Sequence, residues 1–229
     1  MAVALIVAAG RGERLGLSRP KALVELCGRP MLDWSVAALQ SVAAVSSIVI
    51  ALPAEILDAA PAGTIPVAGG HQRSHSVRAA LAACPDGDPV LVHDAARPLA
   101  SPALFEQCLE ELDRHPADAV ITAAPVTDTI KECGPDGCTV TQTLDRSRLW
   151  AVQTPQGFRR RSLERALDAE DEQLARATDD AWLVEQIGGV VRIVGSDPAN
   201  IKVTTADDLR IAELLLSERL SQAQRSPVE

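Results

Sequence analysis

The sequence of 229 residues contains no tyrosine, two phenylalanines and three tryptophans, and just three of its 22 basic residues are lysines. With aromatics at 2% and hydrophobic residues at 47%, the core has to be built from Val, Leu, Ile and Ala. A basic excess is also missing. The net charge of −9 argues against a nucleic-acid or anionic-membrane surface, either of which calls for a basic face. It leaves room for a phosphorylated small molecule, because a few local cations outweigh a diffuse acidic background. No apolar stretch approaches the ~20 residues of a membrane span, and no basic segment precedes the first apolar run as in a secretory leader. Of the five cysteines, Cys27, Cys84 and Cys108 are scattered, which points to free thiols in a reducing cytoplasm. Cys133 and Cys138 flank the turn Gly134-Pro135-Asp136-Gly137. Two reduced thiols are expected there, with a disulfide or a metal clip as the other reading.

What is present is an alternation of strand-length apolar runs with segments of helical period, the pattern of a parallel α/β sheet. Strands are expected at Val3–Val7, Ser47–Leu52, Pro89–His93, Ala119–Ala124 and Val190–Val194. Helices are expected from Pro30 to about Ser41 and at Ser74–Ala83, Pro102–Arg114, Arg161–Ala169, Asp179–Gln186 and Ala206–Leu220. Thr204 or Thr205 caps the last of these, and the tail 221–229 reads as frayed. Residues 1–229 form one domain with no repeat or linker. Thr127–Glu132 and Thr139–Leu144 read as a polar β-hairpin, too thin to bury a core of its own and therefore in need of something to pack on.

The first 21 residues, MAVALIVAAGRGERLGLSRPK, carry an apolar strand into small residues and glycines, with cations at Arg14 and Lys21. Small residues let backbone N–H groups approach phosphate oxygens, and the cations stand where an anion would sit. Gly10, Gly12 and Gly16 give G-x-G-x-x-x-G, which is not the dinucleotide fingerprint, and Lys21 follows Pro20, which is not a Walker loop. A second segment, Val90-Leu-Val-His-Asp94-Ala-Ala-Arg97-Pro98, ends an apolar strand in a carboxylate. That places Asp94 at the carboxyl edge of a parallel sheet, where it can hold Mg²⁺ while phosphates and water complete the shell. Arg97 either binds phosphate or pairs with Asp94, and His93 is a packing residue. Gly69-Gly70-His-Gln-Arg73-Ser-His-Ser76 puts two glycines before a helix, with Gly70 near a base or ribose and Ser76 as a hydrogen-bonding group. The later segments DRSRLW, QTPQGF, TDDA and NIKVT offer Arg146, Thr154, Thr178 and Lys202 from loops and element ends.

The ordered set AAGRGERLGLSRPK, GGHQRSHSV, HDAARP, DRSRLW, QTPQGF, TDDA and NIKVT, spread from Ala8 to Thr204, resembles the 2-C-methyl-D-erythritol 4-phosphate cytidylyltransferase family. The resemblance implies a Rossmann-like nucleotidyltransferase fold, a mostly parallel sheet with helices on both faces, and a homodimer joined by a hairpin arm at 127–144. It implies that Ala8, Ala9, Gly10 and Gly12 hold CTP, with Arg14 and Lys21 on its phosphates, Gly70, Ser76 and Ala95 near the nucleotide, and Mg²⁺ on Asp94. Arg97, Arg146, Thr154, Thr178 and Lys202 would hold the methylerythritol phosphate, with Thr129 reaching in from the partner subunit. Arg14, Lys21, Arg146 and Lys202 would be the catalytic set. Departures from the family pattern fall at Ala22 and His71. A ribitol 5-phosphate cytidylyltransferase is the nearest alternative, and a non-catalytic nucleotide-binding protein on the same fold is the alternative from another class.

Overall fold

The computed structural model describes residues 1–10, 12 and 20–225. Arg14, one of the expected phosphate cations, lies outside them. In chain order the elements are β1 (Ala2–Val7), β2 (Glu25–Leu26), β3 (Arg29–Pro30), α1 (Met31–Gln40), β4 (Val45–Leu52), β5 (Ile65–Ala68), α2 (Arg73–Ala82), β6 (Val90–Asp94) and α3 (Pro102–Arg114). They continue with β7 (Ala119–Pro125), β8 (Lys131–Cys133), β9 (Val140–Thr143), β10 (Trp150–Phe158), α4 (Arg160–Leu167), α5 (Asp171–Arg176), α6 (Asp180–Gln186), β11 (Val191–Gly195) and α7 (Ala206–Arg225).

Seven strands form one sheet in the order β11-β7-β10-β6-β1-β4-β5. All neighbouring pairs are parallel except those of β10, which runs against both β6 and β7. Alternate side chains of β1 go to opposite faces, as the two-residue period of a strand requires. Ala2, Ala4 and Ile6 pack with Leu32, Val36 and Leu39 of α1 and with Phe105 and Leu112 of α3. Val3 and Leu5 pack on the other face with Val77 of α2, Leu163 of α4, Leu174 of α5 and Leu183 of α6. Helices thus cover both faces, as expected, and the fully buried core strands are continuous apolar runs. A smaller cluster joins Ala212 and Leu216 of α7 to Leu26 and Val203.

The chain passes from β1 through α1 to β4 on one side, and returns to place β6 on the other. The carboxyl ends of β1 and β6 therefore flank a topological switch point, where open α/β sheets bind ligands. The register sets Val7 directly beside Asp94.

Several expectations are corrected. Strands β2, β3, β5 and β10 and the short helix α5 are additions to the expected elements, Pro30 closes β3 with α1 starting one residue later at Met31, and α7 runs on to Arg225, past the expected end at Leu220. The Asp208 carboxylate explains how α7 starts: it accepts from the amides of Thr204 and Thr205 at 2.8 Å each, while the Thr205 hydroxyl accepts from Asp208 N–H at 3.2 Å. This reciprocal cap satisfies amides that a helix start leaves open. The expected hairpin is present as β8 paired antiparallel with β9, a separate two-stranded sheet with every strand residue exposed. All five cysteines are free, including exposed Cys133 and Cys138.

Candidate active site at the sheet switch point

A cavity of about 860 Å³ opens at the carboxyl ends of β1 and β6. Its walls include Ala8, Ala9, Gly10, Gly12 and Lys21 from the first loop, Gly70 and Ser76 from the second, and Asp94 and Ala95 from the end of β6. Every expected nucleotide-contacting residue within the described part of the chain is therefore brought to one place. Ala22 and His71, where the sequence departs from the family pattern, line it too.

Close packing of the loops accounts for two of the glycines. Gly12 has φ +74°, and a β-carbon there would lie 2.9 Å from Lys21 Cβ. Only glycine meets both the left-handed backbone and the close approach. At Gly69 a β-carbon would fall 2.3 Å from Ala9 Cβ, so the two glycine-bearing loops touch across the cavity floor. Ser76, buried at the first turn of α2, accepts the Gly70 N–H at 3.1 Å and faces the Gln72 carbonyl at 3.2 Å. It braces the loop against its own helix while lining the cavity.

A second cavity of about 180 Å³ adjoins the first and is lined by Arg97, Thr154, Thr178, Asp179, Gln153 and Gln156, among others. Asp94, Arg73 and Lys202 line both cavities and so form their common wall. Asp94 Oδ1 receives Arg73 Nε at 2.9 Å, and Oδ2 receives Lys202 Nζ at 2.5 Å. The Asp94 side chain is only 8% exposed. Burial pushes its pKa up, but the Arg73 and Lys202 cations override this and hold the carboxyl well below the usual carboxylate range. Asp94 is therefore a fixed anion between two cations.

Lys202 reaches this wall because its loop is tied down on both sides. Val203 N–H bonds to Ala96 O at 2.8 Å, Arg97 donates to Asn200 O at 2.6 Å, and Asn200 Nδ2 donates to Gln153 Oε1 at 2.9 Å. Arg97 thus holds the lysine loop and, with a second bond to Val152 O, makes no direct pair with Asp94. Thr154 likewise bonds within the protein while lining the smaller cavity. Its hydroxyl is buried, accepting Asp94 N–H at 3.0 Å and standing 3.0 Å from His93 Nδ1. Its first task is to seat the Asp94 backbone, although the residue lines the smaller cavity. A register break in β10 between Val152 and Gln156 turns Thr154 toward the end of β6. His93 is, as expected, a packing residue: burial lowers its pKa to about 4, and its ring meets Phe105 edge-on with centroids 5.0 Å apart.

Arg146 and Thr129 line neither cavity. Both are exposed near the base of the hairpin, where Arg146 donates to Thr127 O. Sequence reasoning missed Arg73. The signal for it was present only as a cation in the first turn of α2, and its two acidic partners stand 21 and 107 residues away.

The donor set fits a divalent cation in one way. Each Asp94 oxygen has a cation on one side and retains lone-pair capacity, and Asp94 faces both cavities. Among the described residues no group of three or more His, Cys, Asp or Glu is placed to hold a metal. A cation on Asp94 would therefore depend on phosphate and water oxygens for the rest of its shell, as Mg²⁺ commonly does.

The sequence model of the IspD family, 2-C-methyl-D-erythritol 4-phosphate cytidylyltransferase, matches residues 2–218. A protein of that name from Rhodococcus jostii (strain RHA1) is 48% identical over 220 residues, covering 94% of this chain and 95% of the relative. The crystal structure of 2-C-methyl-D-erythritol 4-phosphate cytidylyltransferase from Thermus thermophilus superposes with a TM-score of 0.77 at 33% identity, covering 94% of this chain and 98% of the other. That of 4-diphosphocytidyl-2C-methyl-D-erythritol synthase from Anaerococcus prevotii gives a TM-score of 0.79 at 29% identity, covering 95% and 98%. With the glycine loops, the charged wall and the smaller cavity all in place on this sheet, the chain belongs to the IspD family of 2-C-methyl-D-erythritol 4-phosphate cytidylyltransferases.

Proposed function

We propose that the protein transfers CMP from CTP to 2-C-methyl-D-erythritol 4-phosphate, giving 4-diphosphocytidyl-2-C-methyl-D-erythritol and pyrophosphate in the non-mevalonate isoprenoid pathway. The observation that carries the reading is the shared wall: Asp94, Arg73 and Lys202 separate a cavity large enough for a nucleoside triphosphate from one sized for a small phosphorylated polyol.

A phosphate monoester is already an anionic nucleophile, so the reaction needs alignment and charge neutralisation rather than a base. An oxygen of the acceptor phosphate attacks the α-phosphorus of CTP, and the bond to pyrophosphate breaks. In this reading the first glycine loop and Lys21, with Arg14 beyond the described residues, bind the triphosphate and stabilise charge on the leaving group. Lys202 holds the acceptor phosphate on the other side of the wall, with Arg97 and Thr178 around the polyol. Asp94 is the residue that would hold Mg²⁺, which when bound would neutralise phosphate charge.

Arg146 and Thr129 enter the reading only through a second copy of the chain. The exposed hairpin, with exposed Val140 in it and exposed Trp150 and Val152 at the start of β10, supports a homodimer in which each arm reaches toward the partner's smaller cavity. Among the described residues no helix is long and apolar enough to cross a membrane, and the free thiols agree with work in the cytoplasm.

The test is pyrophosphate release from CTP with each of two acceptors. Turnover with 2-C-methyl-D-erythritol 4-phosphate is expected. Preference for ribitol 5-phosphate would overturn the choice of acceptor, and no turnover with either would overturn catalysis.

A further inference from the structure

We propose that Arg73 and Asp180 form a positioning pair in which Asp180 anchors the Arg73 guanidinium, and Arg73 in turn orients Asp94 so that its second oxygen stays turned toward Lys202 and the reactants. The inference rests on the transferase reading above.

Arg73 is the first residue of α2 and Asp180 the first of α6. The guanidinium uses one edge for each acid: Nε to Asp94 Oδ1 at 2.9 Å, and Nη1 to Asp180 Oδ2 at 2.5 Å. Asp180 is wholly buried, and its other oxygen has no hydrogen-bond partner among the described residues. Such a carboxylate is a poor way to stabilise a helix start, since its burial is costly and an apolar neighbour would fill the space as well. Asp179 already caps α6, accepting Trp182 N–H at 2.8 Å. Helix formation therefore does not need Asp180.

What Asp180 does is anchor Nη1, which leaves Nε aimed at Asp94 while Nη2 is buried without a partner. Without that anchor the guanidinium is free to swing, and Asp94 to turn with it away from Lys202, which now holds Oδ2 at 2.5 Å. The wall between the cavities would then lose its one partly exposed ammonium, the group assigned to the acceptor phosphate. Burial raises the Asp180 pKa above the usual carboxylate value, and Arg73 opposes the rise.

The experiment compares wild type with Asp180→Ala, Arg73→Lys and the double variant, using pyrophosphate release and, separately, CTP binding by calorimetry without acceptor. Lysine retains the charge but lacks the rigid planar fork that spans from Asp94 to Asp180. Each single variant is expected to lose about a hundredfold in kcat, the scale of an ångström-level misplacement at a reacting centre. For Asp180→Ala, a residue that lines neither cavity, CTP affinity is expected to stay within about threefold of wild type, and kcat of the double variant within about threefold of the worse single, because both changes act through one contact. Unchanged kcat, a loss of CTP affinity in step with kcat for Asp180→Ala, or multiplying losses would each overturn the pairing. If Asp180→Ala does not fold, Asp180→Asn and Arg73→Lys carry the same comparison. An inactive wild type would remove the transferase reading, whereas an active wild type with unaffected variants removes only this one.

Discussion

The Thr154 hydroxyl accepts the backbone N–H of Asp94 at 3.0 Å, bridging the one reversed strand of the sheet and the strand that ends at the catalytic edge. Replacing Thr154 with Val keeps shape but leaves that buried amide without a partner, a loss of about 1–3 kcal/mol. Denaturant unfolding of Thr154→Val should show this drop, together with a lower kcat because Asp94 is no longer seated. Unchanged stability would mean that the hydroxyl does not hold Asp94.

Lys21 lines the larger cavity and packs against Gly12. Lys21→Ala is expected to fold normally and to lose about a hundredfold in kcat, or about 3 kcal/mol of barrier. Circular dichroism with steady-state kinetics checks this. Near-normal turnover would remove Lys21 from the reaction.

Acid sensitivity should be traceable to the start of α7. The Thr204 hydroxyl, with the Thr204 and Thr205 amides, holds the Asp208 carboxyl down at about 2. Since this pKa lies below its unfolded value, the folded chain binds fewer protons in the interval between them. The contribution is complete above about pH 4 and is lost as pH falls toward 2. Urea midpoints for wild type and Asp208→Asn should therefore differ at neutral pH and converge through that window. A gap that persists at pH 2 would refute the cap.

Among the thiols, Cys108 should be the last to react with an aromatic disulfide reagent. Burial pushes it up to about 12, and its Sγ faces Val120 O at 3.6 Å between α3 and the sheet. Its labelling rate should follow global unfolding when urea is varied. Rapid reaction in the native protein would contradict that placement.

Replacing 131–143 by a short turn should leave the folded core intact, convert the proposed dimer to a monomer in sedimentation, and raise the KM for the acceptor. A dimer that survives the deletion would place the interface elsewhere.

The catalytic edge was legible in the sequence wherever chemistry and local pattern coincide. The run from Val90 to His93 closes in Asp94, and small residues follow the run from Val3 to Val7, so both strands and their site residues could be read directly. Strand β10 was hidden because WAVQTPQGF mixes polar residues, a proline and a glycine, and owes its place to pairing with β6 and β7 rather than to propensity. Arg73 was hidden because a cation in the first turn of a helix gives no hint of an acid more than a hundred residues later. Arg97, beside Asp94 in sequence, was the natural candidate for its partner. The backbone turn at Asp94–Arg97, closed by a 2.9 Å bond, instead sends that side chain to the Asn200 carbonyl.

Because β10 alone runs against its neighbours, it begins where β6 and β7 finish: Trp150 is paired with Pro125, and Phe158 with Ala119. The excursion from 126 to 149 must then depart and return on the reactive rim, as a handle fixed to the lip of a cup instead of its base. Both ends of that handle are thus rooted beside the strand ends that carry Asp94 and Ala123.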